Sequence, residues 1–325
     1  MRLAVVGAGA IGAYLGASVA RGGGDVVLVA RGAHLAAMQA SGVSVESPRG
    51  DFHAHPAATD DLAAIADADV VVVALKAYSL TEIAPRLAEH ARPDAAFLWA
   101  QNGLPWWYFE SEGGALDGAT LESVDPGGAI ARAIGPGRSI GCVAYPAAEI
   151  VAPGVIRHVE GTRFTLGEPD RTRSERCERL SAALVAGGLK APIEDDVRGQ
   201  IWLKLLGNAT FNPLSALTGA TLGQLGEVPA MLELLREAMQ EIAAVAGALG
   251  VEIPGSIERR LEAGIGVGDH KTSMLQDLEA GKPLEHACMS GAVVELAGRL
   301  GVPVPRLQAI DAAIATLDHV QRTRA

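Results

Sequence analysis

The chain opens on an apolar run, 3-LAVVG-7, without alternation between apolar and polar positions. A strand buried on both faces reads this way. An Ala/Gly-rich segment follows as far as Ala20 and reads as a helix that 22-GGG-24 ends. The runs 26-VVLVA-30, 69-DVVVVAL-75 and 95-AAFLWA-100 are further uninterrupted apolar strands. Strands that alternate with helical segments predict βαβ units and a parallel sheet.

The pattern then changes. The runs 139-SIGCVAY-145, 154-GVIRHVE-160 and 163-RFTLG-167 are separated by Pro and Gly, with no helical period between them. They predict antiparallel strands added to the sheet edge, the second and third joined by a tight turn at Glu160-Gly161-Thr162. A helix over about 173–187 and a short strand near 189–193 complete this part. From Asp195 onward only helical periodicity remains, in segments near 197–211, 228–250, 273–280, 285–300 and 305–321. The expected architecture is an α/β fold: a Rossmann-type dinucleotide-binding domain over residues 1–194, then an all-α domain over 195–325.

One helical segment breaks its own apolar pattern. In 201-IWLKLLGNATFNPLSALTG-219, Lys204, Asn208 and Asn212 recur at steps of four and so share one helix face. Burying each neutral group without a partner costs about 1–3 kcal/mol, and the charge more. The face therefore looks at solvent or at a ligand. Pro213 disfavours α geometry at Asn212, so the helix is expected to end or kink there.

Composition narrows the function. Of 325 residues, 49% are hydrophobic and 20% charged, enough for a sizeable core in about two domains. A net charge of −11 argues against nucleic acid and against an anionic membrane surface as partners. No apolar run reaches membrane-spanning length. The cysteines, Cys142, Cys177 and Cys288, are odd in number and widely spaced, which fits a reducing compartment and a cytoplasmic protein. No H-E-x-x-H and no metal-ligand cluster occurs, so metal chemistry has no support.

The stretch 7-GAGAIG-12 fits G-x-G-x-x-G, with a strand before it, a helix after it and a second strand downstream. Gly7 permits a tight turn, Gly9 lets backbone amides approach a pyrophosphate, and Gly12 lets the helix pack close to the strand. The helix N-terminus adds positive dipole. Where an NAD site carries an acid at the end of the second strand, this chain reads Ala30-Arg31. A guanidinium suits a ribose 2′-phosphate, so NADPH/NADP+ is the expected cofactor. Lys76 and Asn102 follow the next two strands, at the carboxyl ends where such sheets bind ligands. Ser273 with Gln276 reads as a capping box, and Glu285 lies just past Pro283.

Taken together, GAGAIG, the Lys after an apolar strand, QNG, W-x-K-x-x-x-N-x-x-x-N-P and SMLQDLEAGK-x-x-E make the chain resemble ketopantoate reductases (2-dehydropantoate 2-reductases) over nearly its whole length. The resemblance implies an N-terminal Rossmann domain, a C-terminal helical domain and an active site in the cleft. Lys204 would be the general acid that protonates the keto oxygen as hydride arrives from C4 of the nicotinamide. Asn208 and Asn212 would hold the hydroxyl end of the substrate, and Asn102 and Ser273 the 2-keto acid end. Glu285 would bond a substrate hydroxyl and orient Lys204. Gly7, Gly9, Ala10, Ile11, Gly12, Arg31, Lys76 and Asn102 would contact the cofactor. A homodimer is possible.

Two stretches depart from the family pattern. The family commonly shows T-E-I-D where this chain has Leu284-Glu285-His286-Ala287, and 104-LPWWYF-109 puts Trp106, Trp107 and Tyr108 directly after QNG. They motivate a same-class alternative, a paralogue reducing another branched or bulky 2-keto acid. An alternative of another class is a non-catalytic NADP-binding redox sensor. It predicts a disrupted constellation, whereas Lys204, Asn208, Asn212 and Glu285 are all present.

Overall fold

The computed structural model describes residues 1–324. Its contacts divide the chain into two compact units. The first comprises residues 1–101, 107–119 and 128–197; the second takes residues 102–106 and 120–127 together with the chain from Arg198 onward.

The first unit holds every strand among the described residues. In chain order these are β1 (Arg2–Val6), β2 (Asp25–Val29), β3 (Val43–Glu46), β4 (Phe52–Ala54), β5 (Ala57–Thr59), β6 (Val70–Val73), β7 (Ala96–Trp99), β8 (Ser139–Ala144), β9 (Ala147–Ala152), β10 (Val155–Glu160) and β11 (Phe164–Gly167). The main sheet has the order β11-β8-β7-β6-β1-β2-β5. It is parallel except for β11, which runs antiparallel to β8. The helices are α1 (Ala10–Arg21), α2 (Gly32–Ser41), α3 (Leu80–His90), α4 (Ala129–Ile134) and α5 (Glu175–Ala186). Leu3, Val5, Leu28, Val72, Leu98 and Ile140 from the strands bury against Leu15 of α1 and Leu180 and Leu184 of α5. β6, β7 and β8 are buried at every position, as their unbroken apolar runs require.

Three expectations for this unit need correction. β8 is an inner strand parallel to β7, not an antiparallel edge addition. β10 leaves the main sheet for a second sheet, β4-β3-β10-β9. Its burial alternates, with Ile156 and His158 inward, as befits a strand with one covered face. Residues 189–193 form only isolated bridges, Arg163 with Lys190 and Leu166 with Ile193. Pro192 has no N–H to continue a ladder, and its carbonyl accepts from Leu166 instead.

The second unit is helical: α6 (Arg198–Asn208), α7 (Phe211–Thr218), α8 (Leu222–Gly226), α9 (Pro229–Ala248), α10 (Ile257–Ile265), α11 (Ser273–Glu279), α12 (Ala292–Leu300) and α13 (Pro305–Arg324). α9 is its spine, burying Leu235, Met239, Ile242 and Val245 along one side. Segment 285–300 is not one helix. A π-turn, Ala287–Gly291, precedes α12, closed by the Gly291 N–H on the His286 carbonyl at 3.1 Å. No helix of the described residues is long and apolar enough to cross a membrane.

Candidate functional site

The glycine loop between β1 and α1 divides its work as a dinucleotide-binding turn does. Gly7 has φ +92°, and a Cβ there would meet Leu75 Cδ2 at 2.7 Å and the Ala74 carbonyl at 2.9 Å. A Cβ on Gly12 would lie 2.3 Å from the Gly7 carbonyl oxygen. At Gly9 the same test finds nothing within 4 Å. So Gly7 and Gly12 are demanded by the fold, whereas Gly9 leaves bare backbone. Gly9 is also the N-cap of α1 and supplies no side chain to its first amides. Those features fit a pyrophosphate. Ala10 and Ile11, the first residues of α1, are half-buried.

The loop is tied to the β2 end that carries Arg31. Both Gly7 and Ala8 donate their N–H groups to the Val29 carbonyl at 3.1 Å. Arg31 itself caps α2 with an extended backbone and is exposed. His34, one turn into α2, accepts the Gly154 N–H on Nδ1 at 3.0 Å, which commits that nitrogen as a lone pair. Burial pushes its pKa below the usual histidine range, against a raising contribution from the Ala8 backbone. Lys76 is half-buried just past β6. Gln101 fixes the backbone before it, donating Nε2–H to the carbonyls of Val73 at 2.7 Å and Leu75 at 3.3 Å. His34 did not stand out in the sequence, and Gln101 appeared there only as part of QNG without a role, because each works through backbone atoms distant along the chain.

The second unit assembles the other residues. Lys204 and Asn208 lie one turn apart on α6, both half-buried. Asn208 donates Nδ2–H to Asn102 Oδ1 at 3.3 Å, so the QNG turn sits against this face. Asn212 is buried, with Nδ2 3.8 Å from Met289 Sδ. Cys288 Sγ lies 3.4 Å from both the Asn102 and Glu285 carbonyl oxygens. Asn102 and Asn208 thus meet each other, while Asn102, Asn212 and the backbone of the buried Glu285 each meet the π-turn.

The helix break falls earlier than expected. α6 ends at Asn208 and α7 begins at Phe211, so Asn212 and Pro213 both lie in the first turn of α7. A first-turn proline loses nothing, since that N–H has no intrahelical acceptor. Thr210 makes the break, its Oγ1–H going to the Leu206 carbonyl at 2.6 Å. Ser273 does not cap α11. Thr272 does, accepting the Leu275 N–H at 3.2 Å, while Gln276 donates to the Lys271 carbonyl. Ser273 is the exposed first residue of α11, and no hydrogen bond among the described residues brings it to the cluster.

The two departures have structural readings. Trp106, Trp107, Tyr108 and Phe109 are all buried. Trp107 packs so closely on β8 that a Cβ on Gly141 would meet its ring at 2.7 Å. His286 approaches Asp311 of α13 at 3.4 Å, and Ser290 donates to the same carboxylate at 2.7 Å.

Comparison with known proteins identifies the family. Residues 3–106 match the family "Ketopantoate reductase PanE/ApbA" and residues 196–318 its C-terminal domain, "Ketopantoate reductase PanE/ApbA C terminal". A 2-dehydropantoate 2-reductase of Mesorhizobium japonicum is 47% identical over 322 residues, 98% of each chain. Among solved structures, a PanE/ApbA family ketopantoate reductase from Ralstonia eutropha superposes with TM-score 0.85 at 28% identity, covering 99% of this chain and 100% of that one. A D-mandelate dehydrogenase shares the fold at TM-score 0.83 and 18% identity, with 99% and 100% covered. The two matched domains together span more than half of the chain, and with the 47% identity over its length they make it a member of the ketopantoate reductase family of oxidoreductases.

Proposed function

We propose that the protein reduces 2-dehydropantoate to pantoate with NADPH, with Lys204 as proton donor. The observation that carries this reading is the contact of Asn102 with Asn208, on the helix that also bears Lys204, together with the contacts of Asn102, Asn212 and the Glu285 backbone with the π-turn Ala287–Gly291. When bound, the nicotinamide dinucleotide supplies the hydride. Gly7, Gly9, Ala10, Ile11 and Gly12 would hold its pyrophosphate, and Arg31 its 2′-phosphate through charge-assisted bonds. Lys76 would add a cation beside it. Reduction builds negative charge on the keto oxygen. An ammonium at Lys204 stabilises that charge and then donates the proton. Asn102 and Ser273 would take the keto-acid end of the substrate, and Asn208, Asn212 and Glu285 its hydroxyl end.

Ketopantoate is favoured over a bulkier keto acid because the aromatic run after QNG is spent in cores. The redox-sensor alternative gains nothing from a preserved set of polar groups. The test is NADPH oxidation against a panel of 2-keto acids, with Lys204→Ala alongside. Turnover should be highest with 2-dehydropantoate, and the variant should lose about 10²–10⁴ in kcat. Unchanged kcat in the variant removes Lys204 from the chemistry; absence of turnover with every keto acid removes the enzyme reading.

A further inference from the structure

We infer that the π-turn Ala287–Gly291 is the positioning element for the substrate-side residues, and that Cys288 is its working contact. The inference rests on the reading of Asn102, Asn212 and Glu285 as substrate-binding groups. A π-turn carries one residue more than an α-turn and shifts its carbonyls off the regular ladder, a feature found often at functional sites. Here successive residues of the turn reach different members of the cluster. The Cys288 carbonyl accepts the Leu104 N–H at 2.8 Å. Its thiol sits 3.4 Å from the Asn102 carbonyl, the residue that bonds Asn208, and equally far from the Glu285 carbonyl. Met289 presents its thioether to Asn212.

The contact leaves little slack. Gly103 has φ +87°, and a Cβ there would lie 2.2 Å from the Cys288 carbonyl oxygen and 2.9 Å from Sγ. The QNG turn therefore presses its backbone onto Cys288, and only glycine fits between. The far side of the turn is anchored as firmly. His286 and Ser290 share the Asp311 carboxylate, and the Leu284 N–H goes to Asp318 Oδ1 at 2.8 Å. Both acids belong to α13, so that helix sets the turn, and the turn sets Asn102 and Asn212. Cys288 touches backbone rather than reacting atoms, which makes it a positioning residue.

The test compares Cys288→Ala and Cys288→Ser in the full-length enzyme. The readouts are KM and kcat with 2-dehydropantoate, NADPH Kd by fluorescence, and Tm. Loss of the thiol donor should raise KM about fivefold, the worth of one neutral hydrogen bond. NADPH Kd should not move. Serine keeps an O–H donor and should restore KM towards the wild-type value. Two results overturn the inference: Cys288→Ala at wild-type KM while Asn102→Ala raises it, or equal losses in the alanine and serine variants that track a fall in Tm. If Asn102→Ala itself leaves KM unchanged, the underlying reading of Asn102 fails and the inference falls with it.

Discussion

Gly9 and Gly12 lie three residues apart in one loop, and the structure separates what each is for. Alanine at Gly12 places its Cβ 2.3 Å from the Gly7 carbonyl oxygen and 3.1 Å from both Ala74 Cβ and Val5 Cγ1. The nearest of these atoms is backbone, so the loop or α1 must shift. Overpacking of this kind costs about 1–3 kcal/mol. For a unit of this size, about 2 kcal/mol corresponds to a fall in Tm of roughly 6 °C. Alanine at Gly9 meets nothing within 4 Å, and its backbone, φ −76° and ψ −158°, suits any residue. Gly9→Ala should therefore leave Tm unchanged, yet its methyl would occupy the approach to the bare amides. Losing one charge-assisted bond to a phosphate, about 1.5–3 kcal/mol, weakens dinucleotide binding roughly 10- to 100-fold. Thermal melting of the free protein and fluorescence titration with NADPH give the two readouts separately. A Gly9→Ala protein that melts as low as Gly12→Ala while binding NADPH normally would refute the assignment of the open face.

Other substitutions probe the same frame. Arg31→Ala should raise KM for NADPH about tenfold or more and leave that for NADH nearly unchanged, the outcome expected if Arg31 holds the 2′-phosphate as proposed; a parallel loss with both cofactors would contradict it. Glu295 accepts the Glu122 N–H at 3.0 Å and the Ser123 N–H and O–H at 2.9 and 2.7 Å, so it fastens residues 120–127 to α12. Burial alone would raise its pKa, but those bonds and Arg299 outweigh it and hold the carboxyl below the usual range. Its stabilisation is thus present above the ordinary glutamate pKa and lost as pH falls through the lowered value. Glu295→Gln should cost about 1.5–3 kcal/mol at neutral pH, shrinking in acid, as denaturant melts at several pH values would read. His34 has a depressed pKa, so the unfolded chain takes up its proton first. Stability should fall as pH drops below about 6.5, and His34→Gln should flatten that part of the pH–stability curve.

What was legible in the sequence had a local cause. The need for glycine at Gly7 and Gly12 follows from backbone sterics, and the structure shows the same tightness there as contact distances, with open space at Gly9. The buried inner strands announced themselves by apolar runs without alternation. What was illegible depended on partners far along the chain. β10 goes to a second sheet because β3, more than a hundred residues earlier, offers it a parallel edge, and a strand run alone does not name its neighbour. The α6 break was misplaced because the proline rule states only where a helix cannot continue. Thr210, by bonding the Leu206 carbonyl, decides where it stops. The capping box at Ser273 failed by one residue, since Thr272 offers the same hydroxyl chemistry.

The departures around Glu285 are best understood from α13. A family pattern that replaces T-E-I-D by Leu284-Glu285-His286-Ala287 looks, along the sequence, like a change in substrate contacts. In the fold, Leu284 is buried and its N–H is held by Asp318, while the His286 ring turns to Asp311 rather than to the asparagines. Glu285 lies between these two anchors, and its backbone carbonyl meets the thiol of Cys288. Residues on either side of Glu285, the proposed site acid, can therefore differ from the family's common pattern without touching a ligand, provided they change together with the helix that grips them. That coupling makes a sharp demand. Asp311→Asn keeps a hydrogen-bond acceptor for Ser290 but removes the charge beside His286. It should perturb substrate KM through the π-turn and leave NADPH Kd alone. Asp311→Ala, which releases both His286 and Ser290, should do so more strongly. Equal and negligible effects of the two substitutions on KM would mean that the turn holds its shape without α13, and that the altered residues around Glu285 need another physical reason.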